Sequence, residues 1–324
     1  MKTQILEFNR ESLSLCAEEI LSGGLVAFPT ETVYGLGANA LDIDAVKKIY
    51  VAKGRPSDNP LICHISDKAQ IEKFAYLTPT AEKIIDKFMP GPITVVLKKK
   101  EIVPDVVTGG LKTVGIRMPA HDCARALIDA CGVPLCAPSA NTSTRPSPTT
   151  AEHVYNDLDG KIRYILDGGR CKVGIESTIV DCTDNILLRK GGISARDIEA
   201  VIGQLNEPKD TGIALCPGMK YKHYSPSAEV YLALPSQSMS DRIKQKYDKM
   251  SGKRIILTLG GDYGDRNICV VGSTPEEYAH NLFAEFRRLD GEGYTCIICE
   301  GVLEQGVGAG LMNRLIKASG GKTI

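Results

Sequence analysis

Residues 25–37 read LVAFPTETVYGLG, a short apolar run that stops at a proline and continues as a polar, glycine-containing segment. Residues 25–28 fit a buried strand, because consecutive apolar residues directly follow the helix-ending pair Gly23-Gly24. Residues 30–37 are expected to form a loop, with glycines where the backbone passes close to another group.

Apolar runs and helical periodicity alternate on both sides of this segment. Strands are predicted at residues 25–28, 61–65, 93–97, 113–118, 133–137, 163–166, 178–182 and 186–189, and helices at 11–21, 44–51, 80–88, 123–130, 151–156 and 195–202. The tight turn at residues 183–185 makes the last two strands antiparallel. Residues 1–206 are therefore expected to form an α/β domain with a twisted mixed sheet.

The pattern changes after residue 206. Residues 207–227 are rich in Pro, Gly and Lys and are interpreted as an interdomain linker. Strands and helices then alternate regularly, with strands at 228–233, 254–259 and 294–300 and helices at 240–249, 275–289 and 310–318. This alternation predicts a small Rossmann-like α/β domain with a parallel sheet over residues 228–324.

Composition excludes several classes of protein. Lys+Arg and Asp+Glu both number 39, so no global field attracts nucleic acid or an anionic membrane. The apolar runs are too short to cross a bilayer, and the polar start is not a signal peptide. The odd number of cysteines, 11, is scattered through apolar segments and indicates reduced thiols rather than a disulfide framework or a metal site. We expect a cytoplasmic protein.

Residues 53–61, KGRPSDNPL, place two cations two positions apart at the end of a predicted helix. Prolines stiffen the loop. The planar guanidinium of Arg55 and the compact ammonium of Lys53 suit a polyphosphate, and the side chains of Ser57 and Asn59 could add hydrogen bonds to the same phosphates. A solvated Lys/Arg pair in a turn is the alternative. Polar groups also stand at other strand ends, namely Arg117, residues 137–141 and residues 176–178, and together they could line a small-molecule cleft.

These blocks resemble the YrdC-type threonylcarbamoyl-AMP synthases in their long two-domain form. The resemblance is carried by residues 29–37 (PTETVYGLG), by Lys53, Arg55, Ser57 and Asn59, and by residues 138–141 and 176–178. The blocks occur in the family's order over roughly residues 10–205. Residues 217–226 and the glycine-containing stretch from Gly306 extend the resemblance to the second domain.

The resemblance implies a set of site residues. It implies that the nucleotide is held by Lys53, Arg55, Asn59, Thr113, Ser139, Ser147, Arg189 and Tyr224, with Lys53 and Arg55 as the catalytic cations. It implies that L-threonine contacts Thr32, His64, Arg117, Ala137 and Ser177. No metal ligand from the protein is predicted, and Mg²⁺ is expected to accompany ATP.

The implied reaction combines threonine, bicarbonate and ATP into threonylcarbamoyl-AMP and pyrophosphate, for the threonylcarbamoyladenosine modification of tRNA. No protein nucleophile is required, so positioning and phosphate-facing cations would supply the catalysis. The linker, with Lys220, Tyr221, Lys222, His223 and Tyr224, is predicted to act as a lid. A downstream threonylcarbamoyl transferase would receive the product.

Two other functions remain open. The cleft can also be interpreted as a double-stranded RNA or tRNA-binding module without turnover, although the neutral charge balance disfavours this as the main role. Another ATP-dependent carbamoyl transferase is the third possibility, but the paired C-x-x-C clusters of such maturation factors do not occur here. A second nucleotide site at residues 306–310 is disfavoured by its broken G-x-G-x-x-G spacing.

Overall fold

The structure is a computed structural model that describes residues 2–208, 212, 214–218 and 224–324. Within these residues, ten strands of the first two-thirds form one mixed sheet: β1 (Gln4–Glu7), β2 (Val26–Phe28), β3 (Gly35–Asn39), β4 (Ile62–His64), β5 (Ile93–Lys98), β6 (Thr113–Arg117), β7 (Leu135–Cys136), β8 (Tyr164–Asp167), β9 (Thr178–Asp181) and β10 (Ile186–Arg189). Their order across the sheet is β1-β8-β2-β3-β7-β4-β6-β5-β9-β10. The pairs β1/β8, β2/β8, β4/β6 and β5/β9 are parallel, and the other neighbours are antiparallel. The predicted mixed sheet is confirmed.

Helices cover this sheet: α1 (Arg10–Leu21), α2 (Ile43–Lys53), α3 (Ile71–Phe74), α4 (Pro79–Phe88), α5 (Asp105–Thr108), α6 (Asp122–Cys131), α7 (Ala151–Leu158) and α8 (Ala195–Ile202). Side chains fix where the first two begin, because Asn9 caps α1 and Asp42 caps α2 by accepting hydrogen bonds from backbone N–H groups. Helix α2 ends at Lys53, and the C-cap residue Gly54 has a left-handed φ of 60° that turns the chain toward Arg55. The caps of α2 therefore fix the positions of Lys53 at the end of the helix and of Arg55 in the turn after it.

The prediction of a loop over residues 30–37 is wrong at its end, because β3 begins at Gly35. The glycines that indicated a loop allow close packing within the sheet instead. A Cβ atom at Gly37 would lie 2.6 Å from Cε1 of Phe28 on the neighbouring strand. The Phe28 ring occupies the space that a side chain at residue 37 would need.

The last third of the described chain forms a second sheet of four parallel strands, β11 (Glu229–Ala233), β12 (Arg254–Thr258), β13 (Ile268–Val270) and β14 (Cys296–Glu300), in the order β11-β14-β12-β13. Helices α9 (Met239–Lys249), α10 (Pro275–Gly291) and α11 (Gly308–Ser319) accompany it. The predicted Rossmann-like arrangement is confirmed. Strands β1 and β13 escaped prediction because they are short and largely exposed, so neither shows a buried apolar pattern.

The two sheets share buried apolar side chains. Val33 and Ile175 from the first part of the chain pack in the same cluster as Phe283 of α10 and Leu311 of α11. Gly174 lies against α10 so closely that a Cβ atom there would be 2.4 Å from the carbonyl oxygen of Ala279. The contact between the two parts is therefore a packed apolar interface.

Two expectations from composition concern thiols and membranes. All 11 cysteines are free thiols, and nine of them are buried. Cys296 and Cys299 alternate along β14, the former half-buried and the latter buried, and the described residues contain no group of three or more His, Cys, Asp or Glu side chains suited to a metal ion. None of the helices described has the length and apolar character needed to span a bilayer.

Substitution of Gly174 tests the contact between α10 and the first part of the chain. Gly174 and Gly169 both have left-handed φ angles, 82° and 88°, but only Gly174 has neighbours where a Cβ atom would lie. Gly169→Ala should lower the free energy of unfolding by about 1–2 kcal/mol, the cost of a left-handed alanine. Gly174→Ala should add a further ~1–3 kcal/mol from overpacking, measured by urea unfolding. Equal losses in the two variants would contradict the close packing.

Candidate active site

One pocket lies where strand ends of the first sheet meet the loop after α2. Its wall is formed by Thr30, Thr32, Val33, Gly35, Arg55, Ile62, His64, Arg117, Ala137, Pro138, Ser139, Asn141, Arg145, Glu176, Ser177, Arg189, Pro217, Gly218 and Tyr224. These residues come from the segment between β2 and β3, from the ends of β4, β6, β7 and β10, and from the residues before β9. The topology therefore brings distant parts of the chain to one place.

The pocket brings together most of the residues predicted for the site. Five residues predicted to contact threonine line it: Thr32, His64, Arg117, Ala137 and Ser177. Four predicted nucleotide contacts also line it: Arg55, Ser139, Arg189 and Tyr224. The other four predicted nucleotide contacts lie outside this wall: Lys53, Asn59, Thr113 and Ser147. Within the predicted lid, residues 219–223 fall outside the described residues, whereas Pro217, Gly218 and Tyr224 form part of the wall.

Arg117 is held at the end of β6 by a buried ion pair. Its Nη2 atom lies 2.7 Å from Oε2 of Glu31, and both side chains are only 5% exposed. Its Nε atom donates a hydrogen bond of 3.3 Å to the carbonyl oxygen of Gly91. Glu31, which the sequence argument did not assign, thus orients the guanidinium that was predicted to bind the threonine carboxylate.

His64 is a buried, neutral histidine at the end of β4. Burial, reinforced by the charge of Arg117, lowers the pKa of His64 to about 3. Its Nδ1 atom lies 3.2 Å from the carbonyl oxygen of Ile62, which requires a proton on Nδ1 and leaves Nε2 as an acceptor. The Phe28 ring packs edge-on against the imidazole, with centroids 6.1 Å apart. At neutral pH, His64 adds a hydrogen-bonding group to the pocket without adding charge.

Arg189 connects the strand ends to Pro217, which lies in the predicted linker. Its Nε donates to the carbonyl oxygen of Ser177 at 3.0 Å, its Nη2 to Oγ of Ser177 at 3.1 Å, and its Nη1 to the carbonyl oxygen of Pro217 at 3.1 Å. The Ser177 hydroxyl is also 2.8 Å from the Thr94 hydroxyl. Two hydrogen bonds from one planar group fix the position of Ser177, and the third ties Pro217 to the same guanidinium.

Lys53 lies behind the pocket wall rather than in it. Its side chain is buried, and burial lowers the pKa of Lys53 well below its usual value. Its Nζ atom donates to the carbonyl oxygens of Ser139, at 2.5 Å, and of Asn141. The Ser139 hydroxyl in turn lies 2.5 Å from Oδ1 of Asn141. The contacts described for Lys53 thus hold the loop after β7 and shape the wall from behind.

Arg55 extends from the turn after α2 into the wall. Its Nη2 donates to the carbonyl oxygens of Asn59, at 3.4 Å, and Pro60, at 3.2 Å, and burial lowers its pKa to about 10. Asn59 is buried beneath this turn. Thr113 lines a neighbouring, mainly apolar pocket that shares Ile62 and Pro217 with the first one.

Glu176 is the acidic member of the pocket wall. Its Oε1 accepts a hydrogen bond of 2.5 Å from Ser147, and its Oε2 lies 2.7 Å from Nε of Arg314 in α11. Burial acts to raise the pKa of Glu176, but Arg314, Arg189 and the Ser147 hydroxyl together lower it below the usual value. The predicted site residue Ser147 therefore supports Glu176 from behind, and Glu176 is ionised at neutral pH.

The charge of the pocket is positive. Among the described residues of its wall, Arg55, Arg117, Arg145 and Arg189 carry positive charge and Glu176 carries negative charge. Arginines in a partly dry pocket bind carboxylates and phosphates more strongly than they would in water. The fold and this pocket define an α/β protein that binds small anionic ligands at its strand ends.

Known proteins share this fold and sequence. The Sua5_yciO_yrdC family model, described as "Telomere recombination", matches residues 18–191, and the model "Threonylcarbamoyl-AMP synthase, C-terminal domain" matches residues 193–320. The threonylcarbamoyl-AMP synthase of Pyrococcus abyssi is 48% identical over 96% of this chain and 95% of its own. That of Bacillus subtilis is 44% identical over 99% of this chain and 97% of its own. The crystal structure of P. abyssi Sua5 complexed with L-threonine superposes with a TM-score of 0.95, at 46% identity over 99% of both chains. The chain therefore belongs to the threonylcarbamoyl-AMP synthase family, in the YrdC-like form that carries a C-terminal domain.

The buried His64 predicts a specific dependence of stability on pH. In the unfolded chain, His64 takes up a proton near its usual pKa of about 6.5, whereas the folded protein resists protonation down to about 3. Its contribution is complete above pH 6.5 and is lost as the pH falls. His64→Gln should therefore reduce the drop in unfolding free energy between pH 7 and pH 5 by up to about 2 kcal/mol.

Urea unfolding at pH 7, 6 and 5 measures this difference, with His280→Gln as the control. His280 is partly exposed and lies 2.9 Å from the carbonyl oxygen of Lys172 through its Nδ1. The quantity compared is the change with pH within each variant, so an overall loss of stability in either variant does not matter. Parallel curves for wild type and His64→Gln would show that burial of His64 does not control acid stability.

Proposed function

We propose that this chain is an L-threonylcarbamoyladenylate synthase, a nucleotidyltransferase that uses ATP, L-threonine and bicarbonate. One observation carries the proposal: a single pocket gathers the predicted threonine contacts beside Arg55, Ser139, Arg189 and Tyr224, predicted for the nucleotide. Its relatives are synthases of the same name, and the P. abyssi protein has been crystallised with L-threonine. The wall is positively charged, as a triphosphate next to a carboxylate requires.

The chemistry needs binding groups rather than a protein nucleophile. The threonine amine combines with bicarbonate to give a carbamate and water, and a carbamate oxygen then attacks the α-phosphorus of ATP. The bond to the β-phosphate oxygen breaks, and pyrophosphate leaves with its electron pair. Arg55 and Arg189 would stabilise charge on the phosphates, while Arg117, oriented by Glu31, would hold the threonine carboxylate.

The predicted residues outside the wall have supporting roles in this proposal. Lys53 would act on ATP through Ser139, whose loop it holds by its carbonyl oxygens. Ser147 would act through Glu176, and Asn59 through the turn that carries Arg55. Thr113 lines the adjoining apolar pocket, which shares Ile62 and Pro217 with the first one, and would contact the nucleotide from that side.

Mg²⁺ would enter with ATP. The described residues contain no group of three or more His, Cys, Asp or Glu side chains suited to a metal ion, and arginines dominate the wall. These residues fit a Mg²⁺ ion that is held mostly by phosphate oxygens and water rather than by a protein cage. When bound, Mg²⁺ would neutralise phosphate charge and polarise the phosphorus for attack.

The product is an unstable mixed anhydride, so we propose that a downstream threonylcarbamoyl transferase consumes it for the tRNA modification. We place the reaction in the cytoplasm, where the free thiols of this chain stay reduced. Weak binding of tRNA or RNA is compatible with this role. It is not the main one in our proposal, because two of the wall arginines, Arg117 and Arg189, are buried and reachable only from within the pocket.

Arg55→Ala tests the nucleotide end of the pocket. We expect kcat/KM for ATP to fall about 10- to 100-fold, the loss that corresponds to one or two charge-assisted hydrogen bonds to phosphate. The measurement is pyrophosphate release that depends on both threonine and bicarbonate, together with detection of labelled threonylcarbamoyl adenylate. Arg196→Ala, an exposed arginine near the start of α8, is the control and should stay within about twofold. An unchanged rate in Arg55→Ala would remove the principal phosphate contact.

Arg117→Lys tests the threonine end. The substitution keeps the charge beside Glu31 but removes the planar fork that can bind a carboxylate through two hydrogen bonds. The KM for threonine should rise about tenfold or more, while the affinity for ATP, measured by calorimetry, stays within about twofold. Arg125→Lys, on a surface arginine paired with Asp122, serves as the control. Equal losses for both substrates would argue against a specific threonine contact.

A further inference from the structure

Arg314 is a buried arginine of the C-terminal part of the chain that reaches the pocket wall. It lies in α11, its side chain has no exposed surface, and its Nε atom is 2.7 Å from Oε2 of Glu176. Its Nη1 atom donates to the carbonyl oxygen of Lys190 at 2.8 Å. One side chain of helix α11 therefore contacts two segments of the first part of the chain, at Glu176 and at Lys190.

Arg314 also contacts the aromatic ring of Tyr224, which lies within the predicted linker. Its guanidinium lies 5.3 Å from the centroid of the Tyr224 ring, and that ring stacks on Phe283 of α10 with centroids 5.4 Å apart. Tyr224 has a left-handed φ of 66°, a backbone conformation that is unfavourable for a non-glycine residue. The Arg314 and Phe283 contacts hold Tyr224 in this conformation against the pocket.

Two of the residues that the Arg314 side chain contacts, Glu176 and Tyr224, line the pocket. We propose that Arg314 is a positioning residue for the synthase reaction, through which the C-terminal domain fixes Glu176 and Tyr224 at the nucleotide end of the pocket. The inference rests on the function proposed above. Arg314 itself is not in the pocket wall, so it acts through these two neighbours rather than on the substrates.

The alternative is that Arg314 only stabilises the interface between the two parts. A purely structural ion pair would be expected to join residues remote from the substrates, as Lys190 and Glu304 do at 2.7 Å with both side chains 40% or more exposed. Arg314 instead forms its ion pair with Glu176, a carboxylate of the pocket wall whose other oxygen accepts a hydrogen bond from Ser147. The geometry thus sets the direction of Glu176 from two sides.

Removal of Arg314 should change how activity depends on pH. Arg189 and the partly buried Lys317 face Glu176 together with Arg314, and Tyr224 packs against the same cluster. Without the Arg314 charge, burial of Glu176 is less compensated and its pKa rises. Because the carboxyl group is then protonated as the pH falls, activity lost in the variant should increase toward acidic pH.

The experiment compares Arg314→Gln, Arg314→Lys and the control Glu304→Gln in the full-length chain between pH 6 and pH 8.5. Arg314→Gln should lower kcat/KM for ATP about tenfold or more at pH 8, mainly through KM, and the loss should grow at pH 6. Arg314→Lys should recover part of the activity and the pH profile of the wild type. Glu304→Gln, which removes the exposed ion pair, should stay within about twofold of the wild type at every pH.

A double-mutant cycle separates positioning from folding. Because Arg314 acts through Glu176 as well as Tyr224, the loss of activity in the double variant Arg314→Gln/Glu176→Gln should be smaller than the product of the two single losses. Additive losses in the cycle, or an Arg314→Gln variant that matches Glu304→Gln or keeps the pH profile of the wild type, would overturn the proposal.

ATP binding, measured by calorimetry, distinguishes this proposal from the function on which it rests. If the wild type makes no threonylcarbamoyl adenylate, the proposed function is refuted. The role of Arg314 is then still decided by comparing the affinities of the wild type and the variants for ATP. A tenfold or greater loss of affinity in Arg314→Gln relative to Glu304→Gln supports the positioning role. Equal affinities overturn it.

Discussion

Buried arginine and lysine side chains organise the loops around the pocket. Lys53, Arg117, Arg189 and Arg314 are all at least 93% buried, and each would destabilise the fold if left without a partner. Each contacts a different part of the chain: carbonyl oxygens after β7, Glu31 before β3, Ser177 with Pro217, and Glu176. These contacts hold the loops of the pocket in place, and two of the four residues, Arg117 and Arg189, also face the pocket.

The need of buried charges for partners also explains why the two parts of the chain pack together. A wall with arginines on one side needs a carboxylate that stays ionised, and Glu176 is buried deeply enough that Ser147 alone would compensate it poorly. Arg314 supplies the opposite charge from the second sheet, and the apolar cluster around Phe283 and Leu311 keeps water away from the ion pair. The C-terminal domain thus completes the electrostatics of a site whose remaining residues come from the first sheet and the linker.

Sequence patterns gave most of the fold and the location of the site, but not the direction of its side chains. Apolar runs predict the buried strands. They do not predict β3, because its glycines are typical of a loop, whereas in the sheet Gly37 makes room for the Phe28 ring. The motif at residues 53–61 predicts the turn that carries Arg55. It does not predict that Lys53 donates to the carbonyl oxygens of Ser139 and Asn141, which is evident only in the structure. Glu31 and Glu176 stood inside the quoted motifs without an assigned role. The sequence does contain an indication of the role of Arg314. It lies on the apolar face of α11 beside Leu311 and Leu315, and a charged residue on such a face needs a buried partner.

The distribution of charge favours a small ligand over a nucleic acid. The chain is neutral overall, so an approaching duplex meets no long-range attraction, and duplex binding depends on many exposed cations that contact successive phosphates. The arginines of the pocket are instead concentrated in one site, and Arg117 and Arg189 expose only 4% and 7% of their surface. A ligand must enter the pocket to reach them. Strong local attraction combined with small accessible area suits a triphosphate and an amino acid, whose charges are compact enough to be surrounded.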